Sequence, residues 1–120
     1  MKKILIVDDE PNIVMTLEYT FKKSNYEVFI ARDGQEALEI LKSNFPDAII
    51  LDIMMPMVDG FATLEQIRND ENLKHTKVLF LSAKNKESDI EKGLALGADA
   101  YMTKPFSIKK VVEKVEELLN

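Results

Sequence analysis

The chain has 120 residues, enough for one domain, and 46% of them are hydrophobic, enough for a core. A formal charge of −5 argues against direct nucleic-acid binding, which needs a basic face, and the absence of cysteine excludes disulfides, thiol catalysis and zinc–thiolate centres. No apolar stretch approaches the roughly 20 residues that span a bilayer, and the short apolar run after Lys2-Lys3 meets charge too soon for a signal peptide, so no membrane insertion is expected.

Residues 4–7 read as a first strand that ends on the acid pair Asp8-Asp9. Pro11 then sits where the first turn of a helix tolerates a missing N–H, and Val14, Leu17 and Phe21 follow at helical spacing. Residues 28–31 are a second strand. Asp33-Gly34 starts a second helix, with Ala37, Leu38 and Leu41 on its apolar side. Ala48–Leu51 is a third strand that runs into Asp52, and Asp59 caps a third helix carrying Phe61, Leu64 and Ile67. Residues 78–81 are a fourth strand, followed by Ser82. The fourth helix contains Gly93, which costs it roughly 1 kcal/mol relative to alanine, and Gly97 stops it. Residues 98–102 are the fifth strand, with Lys104-Pro105 beyond it. Ser107 opens the last helix, where Ile108, Val111, Val112, Val115, Leu118 and Leu119 form the clearest amphipathic stripe.

Alternating strands and helices of this kind predict an α/β fold, (βα)5, with an open parallel five-stranded sheet. Continuous apolar strands are buried on both faces, so helices cover both sides in a doubly wound arrangement. The expected strand order is 2-1-3-4-5. Ligands of such sheets bind beyond the carboxyl ends of the strands, near the point where the winding direction switches. Asp8, Asp9, Asp52, Ser82 and Lys104 all fall just past strand ends and so converge on one mouth.

Carboxylates about 5 Å apart repel by roughly 3 kcal/mol at an effective dielectric near 20, so three in one cleft call for a cation. Magnesium suits an incomplete cage of hard oxygens because it keeps several waters and takes phosphate oxygens readily. One carboxylate then remains as a nucleophile toward phosphorus, with Ser82 and Lys104 placed to meet the phosphoryl oxygens. Asp52, on the central strand, is the best placed of the acids. A lone aspartate at a strand end is ordinarily a solvated cap, as expected for Asp59. His75 is isolated in a polar stretch and reads as a surface residue. Met55 and Met57 read as packing beneath a loop.

Four segments resemble the receiver domains of two-component response regulators. They are Val7-Asp8-Asp9-Glu10, Leu51-Asp52-Ile53-Met54-Met55-Pro56 through Asp59-Gly60, Leu81-Ser82-Ala83, and Gly97 through Phe106 with Lys104-Pro105 inside it. The resemblance covers nearly the whole chain, with no departure at the core positions, and is to a flavodoxin-like, chemotaxis-regulator-like domain. It implies that Asp52 is the phosphoacceptor and that Asp9, Asp52 and the Met54 carbonyl ligate Mg²⁺, with Asp8 acting largely through water. It also implies phosphoryl contacts from Ser82 and Lys104, a cis Lys104-Pro105 bond, and an aromatic switch at Tyr101 coupled to Ser82.

The implied role is a cytoplasmic signalling switch, not a multiple-turnover enzyme. Its partners would be a sensor histidine kinase or histidine phosphotransfer protein, a downstream protein, and optionally a second copy in a phosphorylation-dependent dimer. The output face would be the fourth helix, fifth strand and fifth helix, including Phe106, Lys109, Lys110 and Glu113. The sequence reads as a single receiver domain over 1–120 with no output domain, whether stand-alone or cut from a longer regulator.

Rival readings fit less well. A haloacid-dehalogenase-type phosphohydrolase would place Asp-x-Asp after the first strand, where this chain has adjacent acids. A flavodoxin-like ligand carrier would need a phosphate-cradling loop where Asp8-Asp9-Glu10 would repel phosphate. A degenerate receiver is disfavoured because every site residue is present.

Overall fold

A computed structural model describes residues 1–120, with strands and helices alternating throughout. The strands are β1 (Lys3–Val7), β2 (Glu27–Ala31), β3 (Ala48–Leu51), β4 (Lys77–Ser82) and β5 (Ala100–Thr103). The helices are α1 (Pro11–Lys23), α2 (Gly34–Ile40), α3 (Gly60–Arg68), α4 (Glu87–Ala95) and α5 (Ile108–Leu119). All strand pairings are parallel, and the sheet order is β2-β1-β3-β4-β5.

Side chains along a strand point alternately to opposite faces, so the unbroken apolar strands feed two cores at once. Leu5, Val7, Ile49, Leu51, Val78 and Phe80 pack with Leu64 and Ile67 of α3 and Ala37 of α2. Ile4, Ile6, Ile50, Leu79 and Leu81 pack on the other face with Leu17 and Phe21 of α1 and Val111 and Val115 of α5. β1, β3 and β4 are almost wholly buried, whereas the edge strands β2 and β5 are only partly so.

The predicted helix starts are realised by side-chain caps. Asp33 accepts from the Glu36 N–H at 2.8 Å, Asp59 from Ala62 at 2.9 Å and Ser107 from Lys110 at 3.3 Å. Pro11 is the first residue of α1, and Gly97 follows the end of α4 with φ +110°. His75 is exposed, as expected.

Three expectations need correction. β5 begins at Ala100, not residue 98, because the Asp99 carboxylate is occupied as an acceptor for the Val78 N–H at 2.8 Å and for Arg68 at 3.0 Å. Ser82 is the last residue of β4 and not the first beyond it, since the ladder continues to a Ser82–Thr103 pairing. Met57 does not pack under its loop. It is 78% exposed with φ 69°, a backbone turn that carries its side chain outward, while Met55 does pack against the core.

The amino ends of the strands are closed by Arg68, at the end of α3. Its guanidinium donates to the carbonyls of Gly97 (2.9 and 2.8 Å), Lys74 (3.1 Å) and Thr76 (2.7 Å), and to Asp99. No helix is long and apolar enough to cross a membrane.

Candidate functional site

The sheet's hydrogen-bond ladder places the site residues. The Asp8 N–H donates to Ala31, the Asp52 N–H to Val7 at 2.9 Å, and the Lys104 N–H to Ser82 at 2.9 Å. Each of these residues therefore leaves its strand at the same carboxyl edge. Asp8, Asp52 and Ser82 are all buried there.

Lys104 reaches back across this edge. Its ammonium lies 2.7 Å from Glu10 Oε1, 3.0 Å from Asp8 Oδ2 and 3.3 Å from Asp52 Oδ2. The Lys104-Pro105 peptide is cis, as the resemblance implied. Burial pulls the ammonium toward its neutral form, but hydrogen bonds to Glu10 and Asp8 and the charge of Asp52 outweigh it and hold the lysine above its ordinary pKa. Asp8 is also held above its ordinary pKa, which for a carboxylate favours the neutral form. Its burial raises its pKa, and the Glu10 N–H at 2.9 Å and Lys104 offset this only in part.

Glu10 is the member that the sequence reading missed. It stands at the N-cap of α1, and its N–H donation to Asp8 forms a tight turn. A turn brings residues two apart to one side, so the run Asp8-Asp9-Glu10 did hold the signal. Asp9, between them, is exposed and outside the group of Asp8, Glu10 and Asp52, whose oxygens lie within 4.8 Å of one another. Asp9 instead borders an adjacent depression of about 640 Å³, together with Met54, Asp59, Lys84 and Lys92.

Around this carboxyl edge the backbone supplies donors. The Met54 N–H lies 3.3 Å from Asp52 Oδ1, and the Lys84 N–H lies 3.3 Å from Ser82 Oγ. Gly60 presses directly on the strand end, since a Cβ there would lie 2.4 Å from the Asp52 carbonyl oxygen and 2.7 Å from Ile53 Cα. No side chain fits at that position without displacing Asp52. Farther back, Tyr101 is half-buried, its ring 5.8 Å from that of Phe80, and its hydroxyl donates to the Lys84 carbonyl at 2.7 Å. Burial, with the charge of Asp89 behind it, pushes the Tyr101 phenol up.

The donor set fits a hard divalent cation. It consists of carboxylate oxygens alone, and three carboxylates face one ammonium, an excess of two negative charges. The ammonium of Lys104 itself shows that the group accepts a cation.

Known proteins share this fold. Residues 4–116 match the family model described as the response regulator receiver domain. The chain is 46% identical over 118 residues to the alkaline phosphatase synthesis transcriptional regulatory protein PhoP of Bacillus subtilis (strain 168), covering 98% of this chain and 48% of that protein. It thus spans about half the length of that relative. Among solved structures, chemotaxis response regulator CheY4 of Vibrio cholerae superposes with a TM-score of 0.93 at 32% identity, covering 99% of each chain. The receiver domain of Francisella response regulator 1452 superposes at 0.91 with 35% identity, covering 99% of this chain and 97% of that one. A doubly wound sheet with an acid cluster and a lysine at its carboxyl edge, matched over nearly its whole length, makes this chain a member of the response regulator receiver domain family.

Proposed function

We propose that the chain is a phosphorylation-dependent signalling switch in which Asp52 accepts a phosphoryl group from a phosphohistidine on a sensor histidine kinase or histidine phosphotransfer protein. The observation that carries this reading is the meeting of Asp8, Glu10 and Asp52 around Lys104 at the carboxyl edge of the sheet. An Asp52 oxygen forms the new O–P bond as the N–P bond breaks, and the electron pair returns to the imidazole. Magnesium, when bound, neutralises charge on the transferring group. Asp52 and Asp9, with the Met54 carbonyl, are the ligands we assign to it, and Asp8 acts through water. The place of Asp9 beside Met54 on the adjoining depression supports this.

The other roles belong to residues of this chain. Lys104 is released from part of its carboxylate contact to meet a phosphoryl oxygen. The Ser82 hydroxyl and the N–H groups of Met54 and Lys84 donate to the remaining oxygens. Tyr101 couples the filled site to the α4–β5–α5 face, which then meets a downstream protein or a second copy. Hydrolysis returns the protein to rest slowly, because Met54, 55% exposed at the mouth, hinders the attacking water. The reading makes the chain one receiver domain, acting in the cytoplasm.

Mass spectrometry after treatment with acetyl phosphate and Mg²⁺ tests the proposal. One phosphoryl group should appear on the wild type and none on Asp52→Asn. In the same time course Met54→Asn should lose the group faster. Phosphorylation of Asp52→Asn at the wild-type level would remove Asp52 from the role, and an unchanged decay for Met54→Asn would remove the barrier assigned to Met54.

A further inference from the structure

Gly93 lies buried in the last turn of α4, against the rings of β4 and β5. A Cβ there would stand 3.0 Å from Cδ2 and 3.2 Å from Cε2 of Phe80, and 3.1 Å from Cδ2 of Tyr101. Carbon atoms prefer about 3.5–4.0 Å, so something would have to move. Phe80 has no room, since it is fully buried and also packs edge-on against Phe61 at 5.7 Å. The neighbouring Lys92 holds α4 to that same group, its ammonium 4.4 Å from the centre of the Phe61 ring. Tyr101 is different. It is half-buried and can swing toward solvent, but doing so breaks its 2.7 Å bond to the Lys84 carbonyl.

We propose that Gly93 is a positioning residue for Tyr101. The missing side chain is the space that the ring occupies when its hydroxyl is bonded to Lys84. Any larger residue at 93 drives the ring outward and frees the segment joining β4 to α4, without touching Asp52. α4 thus carries a poor helix former at the one point where it must lie close to the switch ring. The packing relation is independent of phosphorylation. Its consequence for signalling rests on the reading of Asp52 as the phosphoacceptor.

A thermal double-mutant cycle on the whole chain measures the relation. Removing the ring relieves the Tyr101 contact and leaves the Phe80 contact common to both backgrounds, so Gly93→Ala should change the melting temperature clearly more favourably in a Tyr101→Ala background than in the wild type. Equal changes in the two backgrounds would overturn the inference. If Gly93→Ala alone does not fold, a cooperative melt in the double variant is the expected result, and failure of both overturns it. A spectroscopic arm separates positioning from simple crowding. The Asn85 amide shares its peptide unit with the Lys84 carbonyl. Its resonance in Gly93→Ala should move as it does in Tyr101→Phe, which lacks the hydroxyl, and an unmoved Asn85 amide in Gly93→Ala is the contrary result.

Addition of Mg²⁺ and beryllofluoride then reads the signalling consequence. Amides near Asp52 should respond alike in wild type and Gly93→Ala, while the Tyr101 ring signals should reach their bound positions only in the wild type. Matching ring signals in both would overturn the link to signalling. A wild type silent around Asp52 would instead sink the phosphoacceptor reading, leaving the cycle to decide the packing relation.

Discussion

Asp8 is 2% exposed, yet it stands beside two other acids. Burial raises its pKa in the folded protein, so the folded state holds this proton to a higher pH than the unfolded state does. The ionised form therefore costs stability. That cost is absent below the ordinary carboxylate range and fully present once the pH exceeds the folded-state pKa. Asp8→Asn in metal-free buffer should consequently melt higher than the wild type at pH 7.5, by about 4 °C for roughly 1 kcal/mol, and the difference should vanish near pH 4. A deficit at pH 7.5 would mean that the contact with Lys104 outweighs the burial. Lys104 titrates too high to contribute any slope in that window. At this scale Asp52 and Ser82 were legible because each directly follows an apolar run, and Lys104 because it stands just beyond the last strand and before a proline. Glu10 was not, because its approach to Asp8 depends on a two-residue turn whose shape is set by an N–H bond and not by hydropathy.

Among the elements, α3 and the loops at the amino edge of the sheet depend on one side chain. Arg68 satisfies three carbonyls and one carboxylate with a single planar fork, and each would otherwise need water or another donor. Arg68→Ala should cost roughly 2–4 kcal/mol in urea unfolding, and Arg68→Lys should recover only a minor part because an ammonium cannot span those acceptors. Full recovery by lysine would show that charge alone matters there. Nothing in the sequence announces this arginine, because all but one of its acceptors are backbone atoms, drawn from two separate loops. The same interaction explains the late start of β5, where periodicity suggested strand but Asp99 was committed elsewhere. The helix starts at Asp33, Asp59 and Ser107 were readable because capping is local, a side chain answering an N–H three residues on.

The whole molecule was the easiest to foresee. Runs of Ile, Val and Leu long enough for a strand and separated by helical stripes leave few topologies, and right-handed crossovers remove most of those. The order β2-β1-β3-β4-β5 then brings distant acids together without any one of them encoding the meeting. A dication bound only by the folded chain must stabilise it as a whole. At roughly 100-fold above its Kd, Mg²⁺ should add about 2.7 kcal/mol. The melting temperature should rise against a sodium control of equal ionic strength, and the rise should be lost in Asp9→Asn. A rise that survives this change would point to general screening of the −5 charge instead.

Lys104 has one more consequence. The positive group among the acids is tethered covalently, so it cannot be diluted away or captured by a chelator. On the reading proposed above, scarcity of the dication would therefore idle this protein and leave it folded, ready to resume when supply returns.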